Sequence, residues 1–157
     1  MKPSVYLETT IIGTLAAWPS RDLIAAANQQ TTHAWWQQRR DSYDLYVSDF
    51  VITECAAGDP VAAQERMAFL GDIPQLDVTQ DVETLADQLL KRVPLPSKAA
   101  LDASHIAVAT VHGMDYLLTW NCTHIANAAL RHRIDSICRS LGYETPVICT
   151  PQELMET

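Results

Sequence analysis

Basic residues are scarce in this chain. Eleven Lys and Arg stand against nineteen Asp and Glu, for a formal net charge of −8. That deficit argues against a broad nucleic-acid clamp, which needs a basic face. It does not exclude a nuclease, because a bound divalent ion offsets negative charge and a local cluster of cations can guide phosphates. An acidic surface also suits a basic protein partner. Long apolar runs are missing too. The richest stretches are broken by Glu, Asp or Arg, so no segment reads as a membrane span. The opening MKPSVYLETT contains no hydrophobic stretch of signal-peptide length, so the expected location is the cytoplasm. The four cysteines, Cys55, Cys122, Cys138 and Cys149, form no CxxC pair. Without an export signal they are expected to be reduced. Cys122 with His124 is a poor zinc pattern, having no second pair nearby. No internal repeat, low-complexity tract or linker divides the chain, so residues 1–157 are expected to form one domain.

What is present is an alternation of strands and helices. Ser4–Leu7, Tyr46–Ser48, Leu76–Val78, Tyr116–Thr119 and Pro146–Thr150 read as strands. Helices are expected over Ile11–Ala17, Arg21–Arg40, Phe50–Ala56, Asp59–Leu70, Gln80–Arg92, Ser97–His112 and Ile134–Leu141, with a short terminal helix opened by Pro151. Asp59-Pro60 and Ser97 are start signals. Gly58, Gly113 and Gly142 are stop signals. The strands are short and apolar without polar alternation. That implies burial on both faces, hence an α/β fold around a parallel sheet of four to five strands. Ligands of such sheets bind outside the carboxyl ends of the strands.

Four polar residues sit where apolar segments open toward a loop or helix: Glu8, Glu54, Asp102 and Asn121. Gathering carboxylates in a fold is costly unless a cation holds them. Mg²⁺ or Mn²⁺ is the natural cation for oxygen ligands. Asp102 is the sharpest anomaly, because its helix, KAALDASHIAVATVH, is apolar over most of its circumference. A carboxylate in a first turn can also simply complement the helix dipole. His105, one turn on, is expected to pack. Glu54 shares a helix face with Phe50 and Val51. Lys98, one turn before Asp102, is a candidate partner for Asp102 or for a phosphate. Arg131 and Arg133, with His132, are candidates to meet phosphates at the mouth of a site, or else make a solvated helix face. Ser20 and Arg21 could reach the cleft, though no spacing demands it. Trp35-Trp36 is expected in a core or partner interface rather than stacked on bases.

The segments YLETTIIG, VSDFVITE, LDASHIAVA and YLLTWNCTHIAN, in this order and spacing, resemble the PIN-domain family, nearest its bacterial VapC-like toxin branch. The resemblance spans essentially the whole chain. It implies a three-layer α/β/α sandwich and a Mg²⁺- or Mn²⁺-dependent ribonuclease. Glu8, Glu54, Asp102 and Asn121 match the family's acidic quartet, as catalytic and metal-binding residues. Glu8, Asp102 and Asn121 would hold the ion, and Glu54 would hold it through water or position the attacking water. Thr9 and Thr119 match the hydroxyl residues beside the quartet. With Lys98 and Arg131 they are the candidate substrate contacts. RNA, a small antitoxin protein and a second copy in a homodimer are the partners the resemblance implies. Two positions depart from the family pattern, Glu8 where Asp is usual and Asn121 where Asp is common, so three carboxylates stand in place of four. Those departures keep a second function class open: a PIN-fold module that binds protein or RNA with little cleavage. A phosphatase of related fold is disfavoured, since ETT after the first strand supplies no DxD nucleophile.

Overall fold

The computed structural model describes residues 1–155. Five parallel strands form one sheet in the order β3-β2-β1-β4-β5. They are β1 Ser4–Leu7, β2 Asp44–Ser48, β3 Gln75–Leu76, β4 Tyr116–Leu118 and β5 Val147–Cys149. The helices between them are α1 Thr9–Ala16, α2 Leu23–Gln38, α3 Asp49–Cys55, α4 Pro60–Leu70, α5 Gln80–Arg92, α6 Ala100–Val111 and α7 Ala128–Ser140. The central strand β1 pairs Val5 with Leu45 on one side and with Tyr116 on the other. Its Val5, Tyr6 and Leu7 are fully buried, as a strand covered on both faces requires.

The layering follows from connection handedness. The crossovers from β1 to β2 and from β2 to β3 run outward in one direction, and those from β3 to β4 and β4 to β5 run in the other. Right-handed crossovers then put α1–α4 on one face and α5–α7 on the opposite face. The helix packing agrees: α1 touches α2, α3 and α4, while α5 packs on α6 and α7. The result is the expected three-layer sandwich. The order of connections reverses between β1 and β4, and the carboxyl ends of the strands at such a switch point are the usual ligand position of an α/β sheet.

Local chemistry fixes the helix ends. The Asp59 carboxylate accepts from the Ala62 amide at 3.0 Å, with Pro60 in the first helical position, as the Asp-Pro pair predicts. Gly113, at φ 69°, ends α6 with two tightening bonds, Gly113 N–H to Thr110 O and Met114 N–H to Ala109 O. This is a Schellman closure that needs the left-handed residue. Three expectations change. Ser97 does not cap the helix of Asp102. Ser97–Ala99 forms a separate 3₁₀ turn, and α6 begins at Ala100 without a side-chain cap. The helix expected from Ile134 starts six residues earlier, because the Asn127 side chain caps it through the Ala129 amide. Among the described residues from Pro151 to Met155 there is a turn and no helix. Glu153 folds back onto the Thr150 amide at 3.0 Å.

The core lies on both sides of β1 and β4, around Leu7, Ile11, Trp35, Ile106, Leu117 and Ile134. Trp35 is fully buried and stacks on Tyr43, whereas Trp36 is half-buried between Phe69 and the Arg40 guanidinium. All four cysteines are free thiols. Burial pushes the Cys55 thiol up to about 11 and the Cys149 thiol up to about 12. Among the described residues, no helix is long and apolar enough to cross a membrane. Truncating Leu117 to Ala should cost about 2–5 kcal/mol in urea unfolding. The same change at exposed Leu23 should stay within about 0.5 kcal/mol.

Candidate functional site

Glu8 follows β1 directly and is the N-cap of α1. It is only 3% exposed. A buried carboxylate needs donors, and Oε1 has three: the Thr119 hydroxyl at 2.7 Å, the Thr10 amide at 3.2 Å and the Thr10 hydroxyl. The positive end of α1 lies at the same oxygen. Thr119 follows β4, and the Glu8 amide donates to Leu118 O at 3.1 Å. The switch point is thus stitched shut by backbone and side chain together. The second oxygen, Oε2, faces His105 Nε2 at 4.0 Å.

Glu54 reaches the same place from α3. Its Oε1 accepts from the Thr9 hydroxyl at 2.5 Å and meets His105 Nε2 at 2.7 Å. Burial alone would raise the Glu54 pKa. The hydrogen bonds from His105 and Thr9, with the charge of His105, outweigh it and lower the pKa below its ordinary value of 4.5. His105 comes from α6 and is fully buried. Its Nδ1 meets the Tyr6 hydroxyl at 2.7 Å, and that hydroxyl meets Ser48 Oγ at 2.7 Å. A carboxylate only accepts, so His105 Nε2 carries a proton toward Glu54. In the neutral ring Nδ1 then accepts from Tyr6, whose oxygen accepts from Ser48. Burial, reinforced by the charges of Glu8 and Glu54 and opposed by the Ser48 bond, pushes the Tyr6 pKa up, so the phenol stays protonated.

His105 is therefore more than the packing residue its apolar helix suggests. It does pack, against the rings of Tyr6 and Phe50. Both its nitrogens are nevertheless spent on polar partners, and it joins α6 to α3 across the end of the sheet. Glu8, Glu54 and His105 each offer a ligand atom, and these atoms lie within 4.8 Å of one another. Two carboxylates and an imidazole suit a divalent ion. Glu8 Oε2 supports the fit: on a residue only 3% exposed, it accepts no hydrogen bond among the described residues.

The arrangement of sheet, switch point and acidic crevice has a solved counterpart. The structure is similar to the crystal structure of Mycobacterium tuberculosis VapC20, described as a sarcin-ricin loop cleaving toxin. The TM-score is 0.58 at 20% sequence identity, over 76% of this chain and 92% of that one. This chain has a PIN-like fold. No family model matches its sequence, and no curated protein does.

Within the PIN-like fold the remaining expected site residues are placed as follows. Asp102 lies one turn before His105 on α6, on the same face. Its Oδ2 pairs with His124 Nδ1 at 2.9 Å, and it stands outside the three-residue cluster. Asn121 turns its side-chain carbonyl into its own loop, accepting the His124 amide at 3.0 Å. Its backbone carbonyl accepts from Ile125 and Ala126. Asn121 thus shapes the loop that delivers His124 to Asp102. Thr9 and Thr119 each donate to a carboxylate of the cluster. Lys98 does not partner Asp102: it lies in the 3₁₀ turn ahead of α6, off the helix face, and is exposed. Arg131 is drawn under the sheet edge, where Nη2 donates to Ile148 O at 2.8 Å, while Arg133 and His132 are exposed. Tyr6, Thr10, Ser48 and His124 were not legible as site residues. The available signal was their position, a hydroxyl or imidazole at or just past a strand end.

The lowered pKa of Glu54 has a definite sign. Its stabilising charge is fully present above the ordinary value of 4.5 and is lost as pH falls through the lower folded value. In chelator-treated protein, Glu54→Gln should lower stability by about 1 kcal/mol at pH 7. The gap should close below pH 4.5. Denaturant midpoints at pH 7 and in acid measure it, and a gap independent of pH would contradict the assignment.

Proposed function

We propose that this chain is a metal-dependent endoribonuclease, a single PIN-like unit over residues 1–157 that hydrolyses RNA phosphodiester bonds with Mg²⁺ or Mn²⁺. The observation that carries the reading is the Glu8–His105–Glu54 cluster, with Glu8 and His105 buried and Glu54 half-buried, at the carboxyl end of the sheet. The PIN-like fold supports it, as does the likeness to VapC20, itself described as a sarcin-ricin loop cleaving toxin. On this reading the chain would be the toxin of a toxin–antitoxin pair, acting in the cytoplasm. It would be held by a small antitoxin protein and assembled as a homodimer.

Each side chain has a part in this reading. Thr10 and Thr119 fix Glu8 Oε1, which leaves Oε2 as a ligand oxygen on a rigid mount. Glu54 is kept ionised through the neutral range, which suits a ligand or a group that orients water rather than a strong base. Asp102 and Asn121, both engaged with His124, would join the ion only by releasing that contact. A divalent ion, when bound here, would neutralise charge on the scissile phosphate and make its water more acidic. Lys98, exposed at the approach to α6, is a cation that would meet the RNA backbone, whereas Thr9 and Arg131 are engaged by Glu54 and the Ile148 carbonyl and would contact RNA only at the edge of the site.

One observation favours a second reading. The Asp102 carboxylate and the Asn121 carbonyl are both engaged with His124, so two expected ligands have protein partners. A PIN-fold binding module, with weak or no cleavage, would look like this. Calorimetric titration separates the two: absence of Mg²⁺ and Mn²⁺ binding at millimolar levels favours the module, and Asn121→Asp would then restore binding.

The direct test is cleavage of RNA by purified protein with Mg²⁺ or Mn²⁺. Activity should vanish with chelator and return with metal. Glu8→Gln and Asp102→Asn should each lower kcat/KM by roughly 10²–10³. Rates equal to the parent in both variants, or cleavage indifferent to chelation, would sink the nuclease reading.

A further inference from the structure

Resting on the metal-dependent reading above, we propose that His105 is itself a metal ligand through Nε2. Its imidazole would tune the site toward a first-row transition ion over Mg²⁺, with the Tyr6–Ser48 hydroxyl pair setting its tautomer. His105 Nε2 lies 2.7 Å from Glu54 Oε1 and 4.0 Å from Glu8 Oε2. The ligand atoms of Glu8, Glu54 and His105 all lie within 4.8 Å of one another, close enough for one divalent ion to be shared among them. Mg²⁺ selects oxygen ligands, whereas imidazole is a favoured ligand of the transition series.

To ligate, Nε2 must present a lone pair, so the ring proton must sit on Nδ1 and find an acceptor there. The structure supplies one. Tyr6 and Ser48 are hydroxyls 2.7 Å apart, and Tyr6 is 2.7 Å from Nδ1. Hydroxyls both donate and accept. Without metal, Ser48 donates to Tyr6, Tyr6 donates to Nδ1, and Nε2–H donates to Glu54. With metal, Nδ1–H donates to Tyr6 and Tyr6 donates to Ser48, while Glu54 exchanges its imidazole proton for the ion. One proton moves from Nε2 to Nδ1 and none is gained or lost by the neutral ring. A fixed acceptor behind a ligating imidazole is the usual support for such a ligand.

The experiment is pulsed electron paramagnetic resonance on chelator-stripped protein loaded with Mn²⁺. It reads whether a nitrogen is bound to the ion. The expected spectrum shows ¹⁴N coupling that disappears in His105→Gln and persists in His124→Gln. Tyr6→Phe keeps the ring in the core and tests the hydroxyl chain even if His105→Gln fails to fold. It should weaken Mn²⁺ binding by about 10–100-fold and Mg²⁺ binding less, which narrows the preference. Bound Mn²⁺ without nitrogen coupling, coupling lost in His124→Gln instead, or equal losses for both ions in Tyr6→Phe would overturn the proposal while leaving the nuclease reading in place. Failure of the parent protein to bind either ion would overturn both.

Discussion

The burial of one negative charge organises this molecule. Glu8 stands at the end of the central strand, 3% exposed, where a lone carboxylate would be strongly disfavoured. Each neighbouring segment answers it. The N-terminus of α1 and the hydroxyls of Thr10 and Thr119 hold one oxygen. The other faces an imidazole brought from α6. The Thr10 oxygen in turn receives the Trp120 amide at 2.8 Å, so the loop after β4 is fastened to the first turn of α1. The Trp120 indole donates to Thr32 on α2 at 2.7 Å. Stabilising the anion and assembling the layers are one set of contacts.

A second consequence concerns how the two faces of the sheet communicate. α3 and α6 belong to opposite layers, yet they touch beyond the carboxyl end of the sheet. The contact is polar at its centre, a His105–Glu54 bond backed by Tyr6 and Ser48 from the strands beneath. A network of this kind is stabilising only when every member is satisfied. Here the satisfied members surround two carboxylate oxygens that carry charge toward the crevice. Rigidity and open valence coexist because the donors all converge on one oxygen of each carboxylate.

Much of the fold was legible in the sequence, and the reasons are physical. Two-sided burial leaves an apolar run with no alternation, which is why β1 and β4 could be read directly. Asp59-Pro60 and Gly113 act through local backbone chemistry and were read for the same reason. The start of α7 was missed because its cap, Asn127, lies in a loop rich in other turn formers. The terminal turn was misread because Pro opens turns as readily as helices. At the site, Glu8 and Glu54 were weak signals singly and could be picked out only through their spaced combination and the family resemblance. His105 could not, since a histidine among Ala, Ile and Val on a buried helix looks the same whether it packs or bonds. Tyr6 and Ser48 carried no local mark at all. Their role exists only because parallel register brings β1 and β2 side by side. The engagement of Asp102 and Asn121 with His124 is likewise a property of the folded loop.

The segment Glu8-Thr9-Thr10 spans three successive residues, and each is committed elsewhere. Glu8 faces β4 and α6, Thr9 faces α3, and Thr10 faces the loop after β4. Glu8 is still extended, and Thr9 and Thr10, the first helical residues, differ in direction by about 100°, which is how neighbours in sequence can serve three separate structures. The junction therefore has no slack in length. A changed side chain here would alter one contact, whereas one inserted residue would rotate α1 against the strand and dissolve all three at once. For this stretch of chain, spacing is a stricter constraint than residue identity.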